Sequence, residues 1–209
     1  PDNIPYDQAC LIEPAAVAFR GASRIRIGPE DSVAVFGAGP IGLLSVQMAK
    51  AFGAKQVTLI DYNRPRLELG RSMGADGIVD LNDVSLTDAA KTYTNGEGYT
   101  KIIEASGNPQ AMADTTRLAA EGARICMIGL CGGRHAHMDI DKVVTSDLEI
   151  FGSVSSPGVW QHVVPLFAAG KVNVLPLMTH RFPLERYEEA LQLIERKDPG
   201  VLKILIQIV

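Results

Sequence analysis

The stretch SVAVFGAGPIGLL, residues 32–44, decides the fold of this chain. It begins as an apolar run, continues as a G-x-G-x-x-G pattern at Gly37, Gly39 and Gly42, and ends in an apolar helical pattern. Asp61 stands 19 residues after Gly42, directly behind a second apolar run. A strand, a glycine-rich turn, a helix and a later acidic residue together are typical of a dinucleotide site.

Each position of the pattern has a physical task. Gly37 permits a tight turn, Gly39 lets a pyrophosphate approach the backbone, and Gly42 lets the helix pack closely on the strand. Pro40 and Ile41 open the helix, whose first N–H groups and positive dipole end attract phosphate. The alternative interpretation is a glycine-rich turn that binds no ligand.

Asp61 bears on the type of cofactor. A carboxylate at the end of the second strand accepts hydrogen bonds from ribose hydroxyls and repels a 2′-phosphate, which favours NAD over NADP. Arg64 and Arg66 leave NADP open, because guanidinium groups bind phosphate. The two arginines are equally well interpreted as the solvated start of a helix.

The rest of the chain alternates apolar runs with helical stretches. The predicted strands are 32–36, 56–60, 77–81, 101–105, 124–129 and 148–153. Helices are predicted to end at Gly53, Gly74, Gly122 and Gly170, and to begin at Asn108-Pro109 and Arg64-Pro65. Six such units predict an α/β fold, a Rossmann-type, doubly wound, parallel six-stranded sheet.

The C-terminal stretch departs from this alternation. A helix near residues 184–195 places Leu184, Tyr187, Leu191 and Ile194 on one apolar stripe. The chain then ends in the apolar run VLKILIQIV, which is expected to form a strand that needs a partner.

Composition excludes several classes of protein. The 209 residues carry a formal charge of −4, whereas a dedicated nucleic-acid binder is basic. Three cysteines and the lack of a secretory signal favour a cytoplasmic location. Residues 32–49 are uncharged, but glycines and a proline interrupt them, so no membrane association is expected.

Several further motifs are similar to those of the medium-chain zinc-type alcohol dehydrogenases, in particular their polyol and threonine dehydrogenase branch. The resemblance covers nearly the whole chain. It rests on LIEPAAVAFRG (11–21), GAGPIGLLSVQMAKAFGA (37–54), EASG (104–107), MIGL (127–130), LEIFGS (148–153) and THRFPLERYEEAL (179–191).

The resemblance implies further residues that bind the coenzyme. Arg66 would contact the adenosine ribose and Lys203 the pyrophosphate, although Lys203 is equally well explained as an edge-strand lysine. The nicotinamide half would be lined by two loops and held by backbone groups of a third segment: Ala105, Ser106, Ile128, Gly129, Leu130, Phe151, Gly152 and Ser153.

Glu13 is the single candidate metal residue, since the family's matching glutamate lies near the catalytic zinc and serves in some members as a ligand. A glutamate stabilised by the helix dipole is the alternative. Cys131, His135 and His137 have metal-binding atoms, but a surface loop with ordinary histidines is the favoured interpretation.

The resemblance also implies that a GroES-like catalytic domain, which would carry the zinc, is absent. Residues 1–15 would then be a linker remnant, 16–154 the NAD-binding domain, and 155–209 the segment that returns to the catalytic domain. The expected reaction is hydride transfer between a secondary alcohol and NAD, with no catalytic residue here and little turnover by this chain alone. The alternative is a stand-alone dinucleotide-binding or redox-sensing module. A homodimer or homotetramer is expected.

Overall fold

A computed structural model describes residues 1–208. Six strands form one parallel sheet in the order β3-β2-β1-β4-β5-β6. Their bounds are β1 Ser32–Phe36, β2 Gln56–Asp61, β3 Gly77–Asp80, β4 Tyr99–Glu104, β5 Ala119–Met127 and β6 Glu149–Gly152. The predicted doubly wound sheet is confirmed, because the strand order reverses between β1 and β4.

Nine α-helices connect and flank the strands of the described chain. They are α1 Tyr6–Ala9, α2 Ile12–Arg24, α3 Pro40–Ala51, α4 Arg64–Ser72, α5 Leu86–Thr94, α6 Pro109–Leu118, α7 Ile140–Thr145, α8 Trp160–Ala168 and α9 Tyr187–Glu195. Asparagine side chains begin two of them: Asn63 accepts a hydrogen bond from the amide of Arg66, and Asn108 from that of Gln110.

The central strand β1 is apolar on both faces because helices cover both sides of the sheet. Val33 and Val35 pack into a core formed with α2, α3, α4 and α8. Ala34 and Phe36 face the opposite core, formed with α5 and α6. This central position fixes where the glycine-rich turn leaves the sheet.

Two local predictions need correction. Helix α6 ends at Leu118, and Gly122 lies inside β5, where the backbone has a φ of 68° and the pairing with β4 shifts register. No glycine is needed at this helix end, because Ala119 turns directly into the extended conformation. The Arg64-Pro65 pair predicts Arg64 as the N-cap of α4 and Pro65 as its first residue, whereas Asn63 is the N-cap and Arg64 the first residue, so the helix starts one residue earlier.

The C-terminal part forms a separate two-stranded parallel sheet. Strand β7, Met178–Pro183, pairs with β8, Lys203–Gln207, and α9 lies between them in sequence. The helix predicted near residues 184–195 begins at Tyr187, because residues 184–186 form a separate 3-10 turn before it. The predicted apolar stripe is present but not buried: Leu184 in this turn and Tyr187, Leu191 and Ile194 of α9 are 41–54% exposed. Val209, the end of the predicted strand, lies outside the described residues.

Among residues 1–208, none of the helices combines the length and the apolar character that crossing a bilayer requires.

Candidate functional site

The loops that leave the sheet at its carboxyl edge are tied to the neighbouring strands. The amide of Gly37 donates to the carbonyl of Ile60 at 2.9 Å, and the amide of Ala105 donates to that of Phe36 at 2.9 Å. After β6, the amide of Ser153 donates to the carbonyl of Met127 at the end of β5, at 2.9 Å. Each loop therefore starts from a fixed position at the edge where open α/β sheets bind ligands.

The three glycines of the turn differ in what a side chain would meet. At Gly37, with a φ of 98°, a Cβ atom would lie 2.9 Å from the amide nitrogen of Ser106. At Gly42, a Cβ atom would lie 1.7 Å from the carbonyl oxygen of Gly37. At Gly39, a Cβ atom would meet nothing within 4 Å. Two of the glycines are required by packing, whereas the third faces open space that a ligand can approach.

Helix α3 starts at this turn without a side-chain cap. Gly39 is its N-cap residue, Pro40 is its first residue, and the amide of Leu43 makes the bond back to Gly39 at 2.9 Å. The first amides of a helix have no carbonyl one turn earlier, so those of Ile41 and Gly42 are available to an acceptor. This end of α3 can bind an anion.

The carboxylate of Asp61 is held by three backbone amides. Its Oδ2 atom accepts from Ala38 at 2.6 Å, and its Oδ1 atom accepts from Tyr62 at 2.7 Å and Asn63 at 2.8 Å. These bonds orient the carboxylate between the glycine-rich turn and the start of α4. Its unused lone pairs can accept hydrogen bonds from a ligand's hydroxyl groups.

A cavity of about 270 Å³ opens beside Asp61. Its lining residues come from the ends of β1, β2 and β3, from the loop after β4 and from α6: Phe36, Gly37, Ile60, Asp61, Tyr62, Leu81, Ser106, Asn108, Gln110, Ala111 and Asp114. Pockets for whole small molecules measure about 300–1,000 Å³. The cavity is thus large enough for one half of a dinucleotide.

The two arginines near Asp61 are both engaged. Arg64 forms an ion pair with Glu68 at 2.7 Å. Arg66 donates from Nε to the carbonyl of Pro199 at 2.9 Å and from Nη2 to that of Val201 at 2.8 Å. Both guanidinium groups therefore have partners within the chain in this conformation.

Lys203 does not line the cavity beside Asp61. Together with Arg66 it lines another cavity, of about 490 Å³, formed by α9 and the segment before β8. The two cavities share no lining residue. The structure brings Arg66 and Lys203 together at this second cavity.

Glu104, the last residue of β4, organises the next two loops. It is fully buried, and its Oε1 atom accepts from the amides of Ser106 at 2.8 Å and Gly107 at 3.1 Å, and from the Ser106 hydroxyl. Its backbone carbonyl accepts from Ile128 at 2.8 Å and Gly129 at 3.1 Å. Sequence reasoning missed this residue, although it opens the EASG motif; a buried acid directly before a Ser-Gly turn was the available signal.

The loops after β4 and β5 touch each other. A Cβ atom on Gly129 would lie 2.2 Å from the amide nitrogen of Gly107 and 2.4 Å from Oε2 of Glu104. Leu130, by contrast, is 83% exposed. The loops after β4 and β5 are therefore in contact, and Ser106 of the first loop also lines the cavity beside Asp61.

The segment at the end of β6 is surrounded by arginines. The guanidinium of Arg24 lies 5.7 Å from the ring centroid of Phe151, and that of Arg124 lies 6.0 Å from it. Cys126 of β5, which pairs with Phe151 of β6, is fully buried. Burial raises the pKa of the Cys126 thiol to about 11, against the opposing effect of Arg24 and Arg20.

Metal-binding side chains do not cluster in the described part of the chain. Glu13 lies exposed in the first turn of α2. Within residues 1–208, no three His, Cys, Asp or Glu side chains are grouped so that they could hold a metal ion, and this includes Cys131, His135 and His137. The described residues on their own therefore do not fit a zinc ion.

The sequence matches a family model described as zinc-binding dehydrogenase over residues 40–169. It is 28% identical over 206 residues to sorbitol dehydrogenase of Bacillus subtilis, covering 99% of this chain and 58% of the relative. It is 33% identical over 214 residues to L-threonine 3-dehydrogenase of Bacillus licheniformis, covering 98% of this chain and 60% of the relative. The chain thus spans less than two thirds of the length of these relatives.

Solved structures share the fold. An alcohol dehydrogenase from E. coli CFT073, complexed with NADH, superimposes with a TM-score of 0.92 at 27% identity, covering all of this chain and 61% of that one. A protein from Sinorhizobium meliloti 1021 bound to NADP superimposes with a TM-score of 0.87 at 25% identity, covering 98% of this chain and 61% of that one. These similar structures thus hold both kinds of nicotinamide cofactor.

Proposed function

Because this chain belongs to the zinc-binding dehydrogenase family, we propose that it forms the NAD(H)-binding portion of a zinc-type alcohol or polyol dehydrogenase. The whole protein would transfer hydride between a secondary alcohol and NAD. The observation that carries the proposal is the carboxylate of Asp61, which three backbone amides hold beside the glycine-rich turn at the point where the strand order reverses.

The proposed binding mode divides the cofactor along the carboxyl edge of the sheet. The adenosine half occupies the cavity beside Asp61, where the carboxylate accepts hydrogen bonds from the ribose hydroxyls. The pyrophosphate lies over Gly39 at the start of α3, where free amides and the helix dipole favour negative charge. The nicotinamide half lies over the ends of β4, β5 and β6. The bound nicotinamide supplies the hydride acceptor, and this chain's residues bind and orient it.

We favour NAD over NADP on electrostatic grounds. A 2′-phosphate would be placed next to the Asp61 carboxylate, which repels it. The two arginines that could neutralise such a phosphate would have to give up partners to do so: Arg64 pairs with Glu68, and Arg66 donates to the carbonyls of Pro199 and Val201.

We also propose a homodimer joined through the edge strand β6. This strand pairs with β5 on one side only. Three nearby apolar side chains are exposed, namely Ile140 and Val144 of α7 and Ile150 of β6 itself. An open edge flanked by exposed apolar residues suits pairing with a second copy about a two-fold axis. The three free cysteines support a reducing location, for which we propose the cytoplasm.

Calorimetric titration of the chain with NADH and then NADPH tests the cofactor assignment. We expect NADH to bind at least about tenfold more tightly, a difference of about 1.4 kcal/mol. Equal affinity would contradict the role given to Asp61. A chain that is folded by circular dichroism and binds neither nucleotide would contradict the proposed function itself.

A further inference from the structure

Arg20, on α2, is hydrogen-bonded to the segment that follows β6. Its Nη1 atom donates to the hydroxyl oxygen of Ser153 at 3.1 Å and to the carbonyl oxygen of Val154 at 3.0 Å. These contacts join residues more than 130 positions apart in sequence. The amide of Ser153 is held from the other side by the carbonyl of Met127. The segment is therefore fixed between β5 and α2.

This segment needs an additional restraint because β6 is a weakly held strand. It has four residues and lies at the edge of the sheet, and among the strands that the structure describes it pairs only with β5. Directly after it, Val154 is 74% exposed. Short edge strands with exposed neighbours belong to the parts of a fold that open most easily. Helix α2 supplies two side chains here: Arg24 lies over the ring of Phe151, and Arg20 hydrogen-bonds to Ser153 and Val154 just beyond the strand.

The hydrogen bonds of Arg20 are stronger than those of a neutral donor. Charge-assisted bonds are about twice as strong as bonds between neutral groups. Arg20 forms no ion pair with a carboxylate of the described chain, so these two oxygens are its hydrogen-bond partners there. Helix α2, which carries Arg20, packs on α3, the helix that starts at the glycine-rich turn.

The segment lies where the second half of the cofactor is expected. In a sheet of this strand order, one nucleotide half lies over β1 to β3 and the other over β4 to β6. Ser153 stands at the carboxyl edge of β6, on the same edge as the loops that start at Ala105 and Ile128.

We propose that Arg20 is a positioning residue for the nicotinamide half of the site: it fixes the backbone at Ser153 and Val154 against which the nicotinamide ring is placed. The inference rests on the proposed function, because it takes NAD(H) as the ligand. It assigns Arg20 no part in binding the adenosine half, because Arg20 does not line the cavity beside Asp61.

Because Arg20 is assigned to the nicotinamide half alone, two ligands can test its role. NADH contains both halves of the site's ligand, whereas ADP-ribose lacks the nicotinamide. The chain and its Arg20→Met variant are titrated with each ligand, and the fluorescence of bound NADH reports the surroundings of the nicotinamide ring. Arg20→Lys keeps the charge but offers a single ammonium group in place of the guanidinium. Arg71→Met, which removes an exposed arginine of α4, is the matched control.

We expect Arg20→Met to bind NADH about tenfold more weakly, the size expected from losing hydrogen bonds to a charged group, with a changed emission of bound NADH. Its affinity for ADP-ribose should stay within about twofold, which also shows that the variant is folded. The NADH affinity of Arg20→Lys should lie between those of Arg20→Met and the unaltered chain. Arg71→Met should bind both ligands as tightly as the unaltered chain does.

Three results would overturn the inference. Equal losses for NADH and ADP-ribose would mean that Arg20 supports the fold as a whole. If Arg20→Met binds NADH with unchanged affinity and emission, the segment does not contact the nicotinamide. The same conclusion follows if the unaltered chain binds NADH and ADP-ribose equally tightly. If the unaltered chain is folded but binds neither ligand, the proposed function fails first, and that result is distinct from the other three.

Discussion

The Oδ2 atom of Asp61 accepts a hydrogen bond of 2.6 Å from the backbone amide of Ala38. This bond joins the end of β2 to the middle of the glycine-rich turn after β1. Because the other oxygen accepts from Tyr62 and Asn63, the same carboxylate also shapes the start of α4. The residue predicted to recognise the ribose therefore also builds the loop that is predicted to bind the pyrophosphate.

Asp61→Asn should weaken NADH binding by about 10- to 100-fold, the range expected when a hydrogen bond to a charged group is lost. NADPH binding should weaken less or improve, because the charge that repels a 2′-phosphate is removed. Titration calorimetry with both nucleotides measures the two effects. Asp83→Asn, which removes an exposed carboxylate after β3, is the control and should change neither affinity. A parallel loss for both nucleotides would contradict the electrostatic argument.

Alanine substitutions at two glycines should separate folding from binding. Gly42→Ala places a Cβ atom 1.7 Å from a carbonyl oxygen, so the free energy of unfolding should fall by about 1–3 kcal/mol or more. Gly39→Ala meets no atom within 4 Å and should leave that free energy nearly unchanged while it weakens NADH binding. Urea denaturation of both variants measures the free energy of unfolding, and NADH titration measures their affinity for the cofactor. Full NADH affinity in Gly39→Ala would show that the pyrophosphate does not lie there.

Glu104→Gln should destabilise the chain and loosen the loops after β4 and β5. The carboxylate accepts from two amides and a hydroxyl, and a glutamine amide group would turn a donor toward other donors. An unsatisfied buried group costs about 1–3 kcal/mol. Hydrogen exchange of the amides of Ser106 and Gly107 should accelerate. Glu121→Gln, at an exposed position in β5, is the control. Equal exchange rates of the Ser106 and Gly107 amides in both variants would argue against the organising role of Glu104.

Stability should fall at alkaline pH because of two buried groups. The unfolded Cys126 thiol releases its proton near pH 9.0, whereas burial keeps the folded thiol protonated to about pH 11. The folded state then binds more protons than the unfolded state, so the free energy of unfolding decreases with rising pH across this window. From pH 8 to pH 10 the loss amounts to about 1 kcal/mol. Burial likewise raises the pKa of Tyr99 from 10.0 to about 12, so the free energy of unfolding continues to decrease above pH 10.

Urea denaturation at several pH values measures this slope. Cys126→Ala should flatten the part between pH 9 and 10, even if it lowers stability at every pH by leaving a small cavity. Tyr99→Phe should flatten the part between pH 10 and 12. Slopes identical to that of the unaltered chain would show that other groups cause the alkaline loss.

The backbone architecture could be predicted from sequence because its signals are local. Buried parallel strands are apolar throughout, and helices that connect them begin and end with recognisable residues such as the Asn108-Pro109 pair. The error at Gly122 arose because an irregularity inside a strand and the end of a helix can both use a glycine with positive φ.

The side-chain arrangement of the site could be predicted only in part, because it depends on contacts distant in sequence. The binding of Arg66 to carbonyls at residues 199 and 201 could not be inferred from its position near Asp61. The same holds for Arg20, whose partners lie after β6. The coenzyme roles of Arg66 and Lys203 remain predictions, and the cavity that these residues share is a place to test them by mutation.

The exposed stripe on α9 has a practical consequence for handling this chain. Four apolar side chains point outward next to a two-stranded sheet with open edges, and the net charge of −4 provides little repulsion between molecules. We expect reversible clustering in concentrated solution, visible as light scattering that rises faster than concentration. Replacing Leu191 and Ile194 by lysine should raise the solubility limit without disturbing the sheet that carries the glycine-rich turn.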